Sequence, residues 1–240
     1  MRGGAAFPVR IRFAKRGPIR FVGHRDVARL FERAFRITSL PLAFTEGFSP
    51  RPKVSFGLAL SLGHESNAEY LDVELREPVD LDALGPALSD ALPEGIDVIG
   101  VGRLAERAPA LQEAVTLVEW RIEVRTDADL TAAVSAALAA DALAVERTRK
   151  GRVSVDDIRP AVVAISSPEP GVICAELATH PVSCRPEELI QALANVAGES
   201  ITSVRTFRIQ QWIERDGARC EPLDADVWSD ALAPAEVLAS

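Results

Sequence analysis

Apolar and polar positions along the chain follow two periods, and the periods recur in the same order twice. "VRIRF" (residues 9–13) changes side with period two, as a half-buried strand does. In "HRDVARLFERAFRI" (24–37), Val27, Leu30, Phe31, Ala34 and Ile37 fall at helical spacing and make one apolar face. "LPLAF" and "KVSFGLALSL" read as strands around the loop "TEGFSPRP". "AEYLDVELREP" alternates again, with Leu71, Val73 and Leu75 inward. Asp80 caps a helix through about Leu92 that contains Pro86, a residue that kinks a helix or shifts its start. "GIDVIGVGRL" closes the series as a strand.

The second half repeats this order. "LVEWRIEVRT" alternates as a strand and "DADLTAAVSAALAAD" is a helix. "ALAVERTRKGRVSV" and "GVICAELATH" read as strands. "RPEELIQALANVAG" is a helix with Pro186 in its first turn and Gly198 as its C-cap, and "ITSVRTFRIQQWI" closes. The pattern predicts an α+β fold of two tandem ferredoxin-like (βαββαβ) units with antiparallel sheets. The first spans residues 1–104 and the second 115–215, joined through "AERAPALQEA". Residues 216–240 read as an acidic, alanine-rich tail.

The 240 residues suffice for two such units, and 48% hydrophobic with 26% charged residues is an ordinary globular composition. No apolar run approaches the ~18–20 residues of a membrane span. The first residues lack an apolar signal core. Cys174, Cys184 and Cys220 are odd in number and loosely spaced, which argues against a disulfide scaffold and for the cytoplasm.

Net charge, −8, taken alone argues against a nucleic-acid partner, but its distribution does not. Residues 1–60 hold twelve cations against three acids, a surplus of nine, so the remainder carries a deficit of seventeen. Such asymmetry points to an anionic partner for the first unit, or to pairing between its own basic and acidic surfaces. On the helix, Arg25, Arg29, Arg33 and Arg36 are spaced by four, four and three, which puts them on one stripe opposite the apolar face. Arginine's planar fork suits phosphate. A solvated helix face is the plain alternative.

Gly23 and His24 open this helix, whose N-terminal amides favour an anion. His24 is therefore the candidate general base, or else a capping or packing histidine. Lys15, Arg16 and Arg20 lie in the turn before it. Arg51 and Lys53 belong to the loop containing Pro50 and Pro52, which would hold cations ready for binding, with Phe48 as a base-stacking side chain. These groups are expected to converge around His24. Arg10 and Arg12 point outward from the first strand and are expected to pair with Asp72 and Glu74 on its neighbour. In the second unit Arg149 and Lys150 sit in the basic ribbon "ERTRKGRV".

There is no phosphate-binding GxxxxGK[ST] loop, no dinucleotide fingerprint and no cysteine triplet for an iron–sulfur cluster. Cys174, His180 and Cys184 lack a fourth ligand. No metal and no cofactor is expected.

The run 9–75 resembles the radical-SAM-linked domain family of bacteria. Lys15, Gly17, "GHRDVARLFERAF", "FTEGFSPRPKVSF" and "GHESNAEYLDVEL" carry the resemblance; the family commonly has Ser-His where this chain has Gly23-His24. The resemblance implies a companion of a radical-SAM protein, and a link through a ribonuclease of the E/G type to RNA. The expectation is an RNA-binding accessory protein acting on ribosomal or transfer RNA. Two alternatives stay open: an RNA endonuclease or RNA-modifying enzyme using His24, and a protein-interaction module for a radical-SAM partner.

Overall fold

Strand alternation decides which side of each sheet the helices cover, and a computed structural model shows the result for residues 7–104, 108–149, 151–215 and 217–224. In chain order the elements are β1 (Phe7–Lys15), a 3-10 turn (Gly17–Phe21), α1 (His24–Ile37), β2 (Val54–Phe56), β3 (Glu65–Leu75), α2 (Leu81–Ala91) and β4 (Ile96–Arg103). They continue with α3 (Leu111–Ala114), β5 (Leu117–Arg125), α4 (Leu130–Ala139), β6 (Ala144–Arg149), β7 (Arg152–Asp157) and a 3-10 turn (Arg159–Ala161). Then come β8 (Val162–Glu169), β9 (Val172–Ala178), α5 (Pro186–Ala197), β10 (Thr202–Arg215) and β11 (Ala218–Cys220). The fold is α+β with mostly antiparallel pairing. It divides into two compact units. The first holds residues up to 62, 68–114 and the described residues from 215 onward; the second holds 63–67 and 115–214.

In the first unit the strands run β4-β1-β3-β2. Val9, Ile11 and Phe13 of β1 and Leu71, Val73 and Leu75 of β3 face α1 and α2. Phe13 meets Phe31 of α1 with ring centroids 4.7 Å apart. Burying one such side chain contributes roughly 1.5–3 kcal/mol. The apolar face of α1 is Val27, Phe31, Ala34 and Phe35; the expected Ile37 is instead 58% exposed. Within the helix itself Phe35 stands one turn after Phe31 and two after Val27, in phase with the buried face, whereas Ile37 falls at its edge. Ser39, with φ 52°, turns the chain left-handed, and Ser39 N–H and Leu40 N–H donate back to the carbonyls of Arg36 and Phe35.

The expected long strand through "GLALSL" does not form. Only Val54–Phe56 pairs with β3 as a strand, and Leu42↔Leu75 and Phe44↔Pro52 are single bridges. Pro50 and Pro52 lack the N–H that a ladder needs.

The face of this sheet away from the helices carries charge. Arg10 has no exposed side-chain surface and donates through Nε and Nη2 to Asp72 at 2.7 and 2.9 Å, and through Nη1 to the Pro222 carbonyl at 2.8 Å. Arg12 pairs with Glu221 at 2.5 Å, not with Glu74 as expected. Tyr70 donates its hydroxyl to the same Glu221 carboxylate at 3.1 Å. Burial, with that carboxylate beside it, pushes the Tyr70 phenol well above its ordinary range. Leu223 lies over Gly100 and Gly102, where a Cβ would come within 2.8 and 3.1 Å of it. The chain from 218 to 224 therefore docks on the first unit; the rest of the expected tail, 225–240, lies outside the described residues.

The second unit has strands in the order β10-β5-β9-β8, and Phe207 and Arg208 of β10 also pair, in parallel, with Glu65 and Ser66 at the start of β3. Asp129 caps α4 by accepting from the Thr131 and Ala132 amides, and Gly198 (φ 69°) ends α5 as expected. The segment 144–157 corrects the sequence reading. It forms its own hairpin, β6–β7, and the second strand of the main sheet is β8. Ser166, Ser167 and Pro168 and two register shifts hide β8 from a period-two search. Arg147, from the basic ribbon, is buried: Glu188 takes two of its N–H groups at 2.8 Å and the Ser183 carbonyl another at 2.6 Å. Glu65, fully buried, pairs with Arg205. His64 Nε2 lies 2.8 Å from Glu187 Oε1 at the start of α5, its ring edge-on to Trp120.

Truncating Arg10 to Ala strands Asp72 on a covered face, so we expect a loss of about 3 kcal/mol in equilibrium urea unfolding. Glu187 gives a pH test. Its partial burial, the largest single influence, would raise its pKa, but the hydrogen bond with His64, a backbone amide and the charges of His64 and Arg185 together outweigh it and hold the carboxyl below the ordinary 4.5. A carboxylate lowered on folding stabilises at higher pH and loses that contribution as pH falls through its folded pKa. Urea midpoints should therefore drop on acidification below pH 4.5, and less steeply in Glu187→Gln.

Candidate nucleic-acid interface

The outer face of α1 is what remains of the basic segment once the fold has used its share. Val27, Phe31, Ala34 and Phe35 turn inward, so Arg25, Arg29, Arg33 and Arg36 are all exposed. Arg29 pairs with Asp26 at 2.8 Å, but with side chains 76% and 59% exposed, such a pair is worth less than about 1 kcal/mol. The side chains of Arg25, Arg33 and Arg36 have no partner among the described residues. Arg20, in the turn before α1, lies over the Phe21 ring at 4.7 Å, and Phe21 is 63% exposed. Arg16 is exposed on the same turn.

The proline-studded loop is held at its base. Thr45 N–H donates to the Arg51 carbonyl at 2.9 Å and Arg51 N–H to Thr45 Oγ1 at 3.0 Å. Below them Phe44 bridges Pro52, Lys53 N–H donates to Ala43 and Ala43 N–H to Glu74. Phe48 is fully exposed at the tip, and the Arg51 guanidinium has no partner among the described residues. Lys53 is engaged by Glu74 at 2.5 Å. The expected convergence on His24 is only partial. Phe44 and Pro52 border Glu32 and Arg36, near the C-terminal end of α1. What reaches His24 is Phe56 of β2, edge-on with centroids 5.2 Å apart.

Lys15 corrects the sequence reading most sharply. It is 3% exposed, and its ammonium donates to the Arg20 and Val22 carbonyls at 3.1 and 2.8 Å. Burial draws its pKa below the ordinary value, with the nearby Glu69 carboxylate opposing. It pins the 3-10 turn beneath the start of α1 and is not on the cationic surface. Lys15, Glu69 and His24 line one cavity of about 20 Å³, room for a single water. His24 itself is exposed at the mouth of that space.

In the second unit Lys150 and the side chain of Arg149 lie outside the described residues. Cys184 is buried, and burial next to Glu188 pushes its thiol up to about 12, which removes it as a nucleophile at neutral pH. Among the described residues no cluster of His, Cys, Asp and Glu is placed to hold a metal ion, and no helix is long and apolar enough to cross a membrane. Sequence reasoning missed Phe21, Phe44 and Arg76 at this surface. Phe21 follows Arg20 directly and was legible as an exposed cation–aromatic pair; Arg76 reaches this surface only by pairing with Pro41 in the segment that follows α1.

The fold and this surface define an α+β protein with an arginine-rich helix in its first unit. The chain belongs to a family of uncharacterized proteins conserved in bacteria (DUF2344), which it matches over residues 9–192. That description names neither a radical-SAM partner nor RNA. No curated protein matches the chain. Among solved structures it is similar to an unknown protein from Galdieria sulphuraria, at 16% identity and a TM-score of 0.26, covering 83% of this chain and 99% of that one. It is also similar to a putative Dyp-type peroxidase from Shewanella oneidensis, at 8% identity and a TM-score of 0.23, covering 85% and 91%. Likenesses this distant carry no argument about function.

The two described lysines should differ in reactivity. Under brief acetylation followed by mass spectrometry, Lys53 should be modified about tenfold faster than Lys15, whose ammonium must leave two carbonyls to react.

Proposed function

We propose that the protein is an RNA-binding accessory protein that grips the phosphate backbone with the outer face of α1 and the 45–51 loop. The observation that carries this reading is that Arg25, Arg33, Arg36 and Arg51 are exposed and their side chains have no partner among the described residues, in a unit that also exposes two aromatic rings, Phe21 and Phe48. Guanidinium groups on a helix track phosphates, and exposed rings stack on unpaired bases. The strand orders β4-β1-β3-β2 and β10-β5-β9-β8 support reading the scaffold as two βαββαβ units. The adaptor role, for a radical-SAM or RNA-processing enzyme, rests on the resemblance carried by residues 9–75. A hydrolytic reading centred on His24 draws on the water-sized cavity it shares with Glu69. Loss of RNA cleavage by the purified protein in His24→Ala would favour it.

Fluorescence anisotropy with a mixed-sequence single-stranded RNA tests the binding reading. Arg25→Glu with Arg33→Glu should weaken binding at least about tenfold and flatten the plot of log affinity against log salt by roughly 1.4. Unchanged affinity and slope in the double variant would overturn it.

A further inference from the structure

We infer that the groove at the C-terminal end of α1 takes one unstacked guanine nucleotide, its base edge read by carboxylates and its phosphate held by arginine. This rests on the RNA-binding reading of the same surface and names what that surface selects.

The groove has a volume of about 570 Å³, within the range of small-ligand sites. Its floor is apolar, from Phe35 and Leu42, both buried. Phe44, 50% exposed, and Pro52 form a wall. The walls are fixed by backbone pairing. Arg76 N–H donates to the Pro41 carbonyl at 2.8 Å, Ala43 N–H to Glu74 at 2.7 Å, and Leu40 N–H to Phe35 at 2.9 Å. Ser39, the non-glycine residue with positive φ, also lines this groove. A rigid cleft loses little freedom when a ligand enters.

Four charged residues complete the lining: Glu32, Arg36, Arg76 and Glu77. All four are exposed, and none forms an ion pair among the described residues, although Glu32 and Arg36 stand one helical turn apart. Unpaired charges of both signs around apolar walls fit a ligand that is flat and apolar on its faces, rich in N–H donors on one edge, and anionic elsewhere. A nucleotide has those properties. An unstacked base is recognised by stacking on an aromatic ring and by hydrogen bonds to its Watson–Crick edge. Guanine presents N1–H and the N2 amino group side by side, matching the two oxygens of one carboxylate. Cytosine and adenine present only an amino group next to acceptors, and uracil a single N–H between two carbonyls. Arg36 and Arg76 supply the cations for the phosphate. Arg36 also ends the stripe on α1, so a strand lying along the helix arrives at the groove.

The test uses the full chain titrated with GMP, AMP, CMP and UMP by NMR, with the RNA anisotropy run in parallel. GMP should bind about tenfold tighter than the other three. Glu32→Gln with Glu77→Gln should abolish that preference, and Phe44→Ala should weaken all four; Phe44 is half-exposed, and circular dichroism checks that the variants fold. Equal binding of the four nucleotides, no binding of any, or a preference that survives the double carboxamide variant overturns the inference even if RNA is bound. Selective GMP binding by a protein that does not bind RNA leaves the groove as a site for free guanine nucleotide and sinks the RNA reading instead.

Discussion

A guanidinium with no exposed surface has to be matched where it lies, and Arg10 sets that constraint for the first unit. It sits in a strand whose other face builds the helix-covered core. A slip of one residue in β1 would carry Arg10 under α1 and turn Ile11 out, so the ion pair with Asp72 fixes which face of β1 is which. It also explains why the chain from 218 to 224 returns to this unit. The Pro222 carbonyl takes a third N–H of Arg10. Glu221 answers both Arg12 and Tyr70. Such a network adds little net stability over an apolar face, but an unmatched member is costly. Its effect is on register and on where the chain ends up.

That same partition decides what is left over for binding. Of the early cations, Arg10 and Arg12 face carboxylates, Lys15 is committed to two backbone carbonyls, and Lys53 meets Glu74. What stays outside is the arginine face of α1 together with Arg51. An overall charge of −8 does not cancel this locally, because charges more than a Debye length of about 8–10 Å away are largely screened.

How far the sequence announced this varies by residue, for physical reasons. α1 was legible, with its bounds, because three turns of one apolar face outweigh any local ambiguity, and only the facing of Ile37 was misread, since it stands at the edge of that face. The pairing of Arg10 with Asp72 was legible from strand alternation. Lys15 was also legible, in retrospect: it is in phase with Val9, Ile11 and Phe13, and its neighbour Arg16 drew it wrongly into a surface cluster. β8 was not legible, since its serines and proline blur the period and its pairing is irregular. The groove was beyond reach, because Arg76 and Glu77 come beside the segment after α1 only through backbone bonds between 41–43 and 74–76, over thirty residues apart in sequence.

On the proposed reading, the stripe and the groove would divide recognition between them. Exposed arginines along a helix attract phosphate at any sequence, weakly per contact and with strong dependence on salt. They cannot discriminate bases, since phosphates are alike. Discrimination needs buried or semi-enclosed groups that are left unsatisfied by the wrong partner. On this surface an apolar floor and carboxylates without a partner among the described residues, Glu32 and Glu77, come together in the groove around Phe44. Arg36 belongs to both sets, so on the proposed reading one side chain would link backbone contact to base contact. The turn at Ser39, which ends α1 and brings residues 40–44 back along it, is the local event that puts Phe44 beside Arg36.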